Sequence, residues 1–171
     1  MPAKKQPIRA VELRAEIKAR GASLLCADGV LAGKHFLQHG DVSVYEHCFN
    51  VAFLSLYVAR RFHLSVDRQA LVRGALLHDY FLYDWHEDDP THRLHGFHHA
   101  RRALENACRD FSLGSIERDI IAKHMFPLNL HPPRYRESAL VCAADKLCAL
   151  LETVGAGRLR KATGVRPANR T

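Results

Sequence analysis

Four histidines and two aspartates of this chain fall where apolar residues are expected: His47, His78, Asp79, His99, His124 and Asp145. The adjacent pair His78-Asp79 is the plainest case, because it ends the apolar run Ala70-Leu71-Val72-Arg73-Gly74-Ala75-Leu76-Leu77. A carboxylate buried without compensation is costly, so buried acids are paired, neutralised or metal-bound. A single histidine on an apolar stripe is commonly a core residue satisfied by a backbone carbonyl. Six such groups would need that explanation repeated each time, whereas convergence on one metal centre accounts for all of them. Imidazole nitrogen with carboxylate oxygen and no thiolate suits Fe, Mn, Co, Ni or Zn better than Ca or a sulfur-bound site. Six ligands exceed what one ion with an open position takes, and they divide between two. If Asp79 bridges, His47, His78 and Asp145 hold the first ion, and His99 and His124 the second.

These residues must be carried by helices. Apolar positions recur at helical spacing over 8–20 and 22–38, and 43–63 reads as a long central helix, apolar nearly all round, with Asp41 and Ser43 as candidate caps. Asp67 can cap a helix that runs through His78. Residues 80–95, rich in acids and aromatics and containing Pro90, read as a loop. Further helices are expected at 96–110, 114–125 and 137–154, the last two separated by the proline-bearing stretch 127–136. His47 shares a stripe with Val51, Leu54 and Val58, and His78 follows Leu71 and Ala75. His99 lies with Ala103 and Ala107, His124 continues the Ile116, Ile120, Ile121 face, and Asp145 sits among Val141, Cys142, Cys148 and Ala149. No stretch alternates with strand periodicity for long, and no repeat is visible. The expected fold is all-α.

Composition bounds the rest. The chain has 171 residues, 47% hydrophobic and 25% charged, enough for one globular domain with a substantial core. The formal charge of +7 is carried by the ends: residues 1–20 stand at +4 and 155–171 at +5, leaving −2 for 21–154. The expected organisation is a basic helical extension over 1–20, the main domain over 21–154 and a basic flexible tail from 155, opened by the helix stop Gly155-Ala156-Gly157. No apolar run approaches the roughly 18 residues that span a bilayer, and 1–6 carry no apolar signal stretch, so a soluble, cytoplasmic protein is expected. The cysteines Cys26, Cys48, Cys108, Cys142 and Cys148 are odd in number, lack C-x-x-C spacing and read as reduced thiols.

The ordered set His47, His78-Asp79, His99, His124, Asp145 resembles the HD-domain metal-dependent phosphohydrolase superfamily. The matching blocks are Tyr45-Glu46-His47-Cys48 with Val51-Ala52, Gly74 to Asp79, and Ala144-Asp145-Lys146, within a resemblance extending over roughly 40–152. Leu82-Tyr83-Asp84-Trp85-His86 and Lys123-His124-Met125-Phe126-Pro127 resemble blocks of small, stand-alone bacterial members. The resemblance implies a five-helix core, a mono- or binuclear metal centre, and hydrolysis of a phosphate ester or anhydride by metal-activated water. Cyclic di-GMP phosphodiesterases of the HD-GYP type carry a second histidine where this chain has Met125, and their Gly-Tyr-Pro signature is absent. Many HD enzymes place a lysine shortly after the aspartate, where Tyr80-Phe81-Leu82-Tyr83 stands here. The six-ligand set is closer to binuclear members, among them HD-type diadenosine tetraphosphatases and diiron HD-domain oxygenases.

The expected cofactor is therefore a pair of divalent transition metal ions, Fe or Mn first, with Ni, Co, Zn or Mg as alternatives. The expected partner is a small phosphorylated substrate such as a nucleotide, with neither membrane nor nucleic acid. Lys123, Lys146, Arg101, Arg102, Arg134 and Arg136 are candidates for phosphate binding, Lys146 and Arg134 first, beside Asp79 in the catalytic set. His95 shares a helical face with His99, whereas His98 lies about 100° away, so His99 is chosen over His98. His86 and His92 belong to a polar loop that could act as a lid, and His131 and Tyr135 could border the pocket. Two other chemistries fit the same residues: a diiron oxygenase, and a non-catalytic module binding nucleotides or nucleic acid through its basic ends.

Overall fold

Helices dominate because apolar residues recur at helical spacing, and Ser43 and Asp67 supply side-chain caps where two of them start. The computed structural model describes residues 7–81 and 95–164, with the backbone alone at 39, 95–98 and 156–162. In chain order these residues form α1 (Ala10–Arg20), α2 (Ala22–Leu25), α3 (Asp28–Ala32), β1 (Leu37–His39), β2 (Val42–Ser43), α4 (Val44–Arg61), α5 (Arg68–Leu77), α6 (His95–Asp110), α7 (Ser115–Lys123) and α8 (Arg136–Thr163). The fold is all-α, with one two-stranded hairpin among the described residues.

Helix α4 is the axis of the molecule. Ser43 Oγ accepts the backbone N–H of Glu46 and Glu46 returns a carboxylate oxygen to the N–H of Ser43, both at 3.3 Å, which closes a capping box. Ser43, rather than Asp41, is thus the cap. Its residues face α5 on one side and α8 on another, and α7 packs against both α5 and α8 while α6 covers α7. The buried core runs through Leu56, Leu71, Leu77, Ile120, Ile121 and Val141. Asp67 starts α5 by accepting from the backbone N–H groups of Gln69 (2.9 Å) and Ala70 (3.0 Å), as expected from its sequence position. The close approach of α5 to α7 depends on Gly74. A Cβ there would lie 2.5 Å from Ile120 Cδ1.

Three expectations are corrected. Residues 22–38 form two short helices and a strand, not one helix: Ala27 is extended (φ −76°, ψ 134°) and restarts the chain as α3. Gly29 then passes so near Tyr80 that a Cβ would sit 1.8 Å from its hydroxyl, an approach that only glycine permits. Second, β1 and β2 pair antiparallel, Leu37 with Ser43 and His39 with Val42, through a turn in which Gly40 takes φ +60°. Stretches of three and two residues are too short to show a period. Third, the helix expected to stop near Val154 breaks at Gly155 (φ 176°, ψ 67°) but resumes to Thr163, whose side chain is buried. Gly155 therefore kinks the segment rather than ending it. The proposed lid with His86 and His92 lies outside the described residues, as do the side chains of His95 and His98 and residues 165–171. No helix among the described residues is long and apolar enough to cross a membrane.

Candidate metal centre

Each of the five helices α4 to α8 delivers a titratable side chain to one buried point. His47 comes from the first turn of α4, His78 and Asp79 from the end of α5, His99 from α6, His124 from the end of α7 and Asp145 from α8. All six are buried. His78 and His124 both stand as C-caps in right-handed helical conformation, and each donates from Nδ1 to a carbonyl of its own last turn: His78 to Ala75 (2.8 Å) and His124 to Ile121 (2.9 Å). Helix ends leave carbonyls without intrahelical donors, so the imidazole satisfies one of them. Its tautomer is fixed in the same stroke, and Nε2 is left facing inward.

His47 is fixed by a longer reach. Its Nδ1 lies 2.7 Å from Glu152 Oε2, and the other oxygen of Glu152 accepts from Asn50 Nδ2 at 2.7 Å. Three imidazoles therefore hold Nδ1–H on an outer acceptor and turn Nε2 toward carboxylate oxygens. His47 Nε2 is 3.0 Å from Asp145 Oδ1, and His78 Nε2 is 3.7 Å from the same oxygen. On the other side, His99 Nε2 and His124 Nε2 are 2.9 Å apart and lie 3.3 and 3.4 Å from Asp79 Oδ1. Asp79 Oδ2 faces His78 Nε2 at 3.4 Å and His47 Nε2 at 3.8 Å, and accepts from Gln38 Nε2 at 2.6 Å. Lone pairs aimed at carboxylates repel unless a cation stands among them.

The titration behaviour records the same demand for positive charge. Burial opposes a charged His47, yet hydrogen bonds to Asp145 and Glu152 outweigh it and raise its pKa to about 10. Burial likewise opposes charge on His78, but the neighbouring Asp79 carboxylate holds its pKa well above the usual imidazole range. Asp79 and Asp145 resist protonation despite burial, Asp79 through the charge of His78 and the nearby imidazoles of His124 and His99, Asp145 through its hydrogen bond with His47 and the nearby His78. His124 moves the other way: burial lowers its pKa, Asp79 opposes this, and the charges of His78 and His99 add to the lowering. Two atoms, His78 Nε2 and Asp79 Oδ1, are buried with no hydrogen-bond partner among the described residues. Those orphans point into the middle of the cluster. The donor set, nitrogen and carboxylate oxygen with the outer nitrogens already tied, fits divalent ions.

Two groups of residues could each hold a metal ion: His47, His78 and Asp145, and Asp79, His99 and His124. A family model described as HD domain matches residues 44–150. The chain belongs to the HD-domain family. No curated protein and no solved structure gives a significant match. HD domains are a superfamily of metal-dependent hydrolases, and the six residues gathered here are the His and Asp positions from which the resemblance was read.

The remaining candidates fall elsewhere. Lys146 Nζ donates to the carbonyls of His124 (3.0 Å) and Cys142 (3.3 Å), so it ties the end of α7 to α8. Arg134 is exposed: its guanidinium lies 5.9 Å from the Tyr135 ring centroid and its backbone N–H donates to Asp119. Neither makes a hydrogen bond to the six clustered side chains. Lys123 pairs with Asp119 (2.8 Å) and Arg101 with Glu105 (2.8 Å). Sequence reasoning missed Glu152, Asn50 and Gln38. Glu152 had a signal, since it follows Asp145 by seven residues and so lies on the same helical face two turns on. Gln38 had none, because only the hairpin brings it to Asp79.

Proposed function

We propose that this protein is a metal-dependent phosphohydrolase with a binuclear centre, in which His47, His78 and Asp145 hold one divalent ion, His99 and His124 a second, and Asp79 is shared. The observation that carries this reading is the orientation of Asp79: Oδ2 faces His47 and His78 while Oδ1 faces His99 and His124. Divalent ions in such a centre lower the pKa of bound water and neutralise phosphoryl oxygens as charge develops. The chain's own residues do the positioning. Glu152 and the carbonyls of Ala75 and Ile121 fix the three imidazoles, and Gln38 donates to Asp79 Oδ2 and so restrains the carboxylate. Lys146 acts through His124, as a positioning residue, and Arg134 remains a candidate for the outer phosphate.

Metal analysis of freshly purified protein, joined to aerobic and anaerobic assays on a panel of phosphate esters and anhydrides, tests the reading. About two equivalents of Fe or Mn, with phosphate release independent of oxygen, is the expected result. Oxygen consumption with substrate would instead assign the centre to an oxygenase. A chain that takes up no metal and gains no activity from Mn, Fe, Ni, Co or Mg sinks the proposal.

A further inference from the structure

Beside Asp79 the fold leaves a small, partly open cleft. Its walls are aliphatic and aromatic: Leu25, Val30, Phe36, Val44, Leu76 and Phe81, with Gly29 and Gly33 presenting bare backbone. Asp79 is the one charged residue among the described residues that line it, and none of these is Lys, Arg, Ser, Thr, Asn or Gln. Tyr45, Tyr80 and Cys48 complete the lining, but the Tyr80 hydroxyl is already spent as a donor to Asp110 at 3.0 Å. A sugar or a polyphosphate placed there would lose its water and gain little beyond the Tyr45 hydroxyl in return, which is unfavourable for each further hydroxyl and for each charge. A ring or short alkyl group loses nothing polar.

The cleft also has a rigid back wall. A Cβ on Gly29 would clash with Tyr80, and one on Gly33 would lie 3.4 Å from the backbone nitrogen of Tyr45 in α4, so the chain packs close against its neighbours at both glycines. Leu25, Gly29, Val30, Gly33 and Phe36 all precede residue 44, where the family match begins. This wall is therefore supplied by the part of the chain that the family model does not cover. Resting on the hydrolase reading above, the geometry points to a substrate whose phosphoryl group sits at Asp79 and whose organic part is a small apolar group, aryl or alkyl, seated in this cleft.

The experiment is calorimetric titration of the metal-loaded full chain with inorganic phosphate, methylphosphonate and phenylphosphonate. Burying a phenyl ring in an apolar site is worth on the order of a ten- to hundredfold gain in affinity, so phenylphosphonate should bind tighter than methylphosphonate by about that factor. Leu25→Trp, which fills the cleft from α2, should erase most of that ratio. Phe36→Ala, at a half-buried position that tolerates truncation more readily, should reduce it several-fold. Metal content, measured on every variant, should stay at the wild-type value. Equal affinity for the two phosphonates, or a ratio that both variants leave intact, overturns the inference while the hydrolase reading stands. Failure of inorganic phosphate and of both phosphonates to bind the metal-loaded protein overturns that reading and this inference with it.

Discussion

Around Asp79 Oδ2, His47 and His78 are joined by two further carboxylates, Asp145 and Glu152. Around Asp79 Oδ1, by contrast, His99 and His124 face each other across 2.9 Å with no second carboxylate among the described residues. The difference shows in their protons. His47 holds its proton to about pH 10, whereas the pKa of His124 is pushed below the ordinary imidazole value. Five helices of ordinary apolar character thus build two unlike half-sites around one shared acid. The half rich in carboxylates should bind a cation more tightly and compete with protons for it. The other half should bind more weakly and with less dependence on pH.

Removing the shared residue tests the comparison most severely. Asp79→Ala should cost both ions and bring phosphate release to background, measured by metal analysis and assay of the same preparation; retention of either ion means that Asp79 is not shared. Asymmetry between the halves is tested next. His124→Ala should leave about one equivalent of metal, while Asp145→Ala should empty the tighter half, and identical losses in the two variants would dissolve the contrast. Glu152→Gln keeps the shape but removes the charge behind His47. First-site affinity should fall about ten- to hundredfold in a competitive chelator titration, with second-site affinity changed far less.

The pH dependence carries its own sign. The His47 pKa is raised from a reference near 6.5 to about 10, so in the metal-free protein its contribution to stability is complete below about pH 6.5 and is lost as pH rises through about 10. Thermal midpoints of the metal-free chain should therefore decline between those values, and Glu152→Gln should flatten the decline. Metal uptake in the first half displaces the same proton, so its affinity should increase with pH over that range. A smaller, purely structural effect is expected at Gly74, whose replacement by Ala pushes α5 from α7. It should cost about 1–3 kcal/mol in denaturant unfolding. A cost near zero would mean that Ile120 moves aside freely.

How much of this was legible before folding differs from residue to residue. His47, His78, His99, His124 and Asp145 could be read because a polar group at helical spacing among apolar ones declares its face within a single segment. The start of α5 was equally local, since Asp67 caps through its own next turn. The stretch 22–38 could not be read: its apolar residues keep a helical period, but Ala27 turns extended and Gly29 packs on Tyr80, some fifty residues away in the chain. Lys146 and Arg134 were chosen for nearness in sequence to the ligands, and nearness in sequence does not set direction. Lys146 turns to the carbonyl of His124, and Arg134 lies over Tyr135.

The sequence by itself determined that the chain is helical, that ionisable groups lie on its core stripes and that their order matches one family, because helical period and residue type are local properties. Tertiary structure alone decided which oxygen of Asp79 meets which imidazole, that Glu152 and Gln38 stand behind them, and that the space beside the centre is apolar. Those depend on distances between elements far apart in the chain, and such distances are set only when packing fixes the helices against one another.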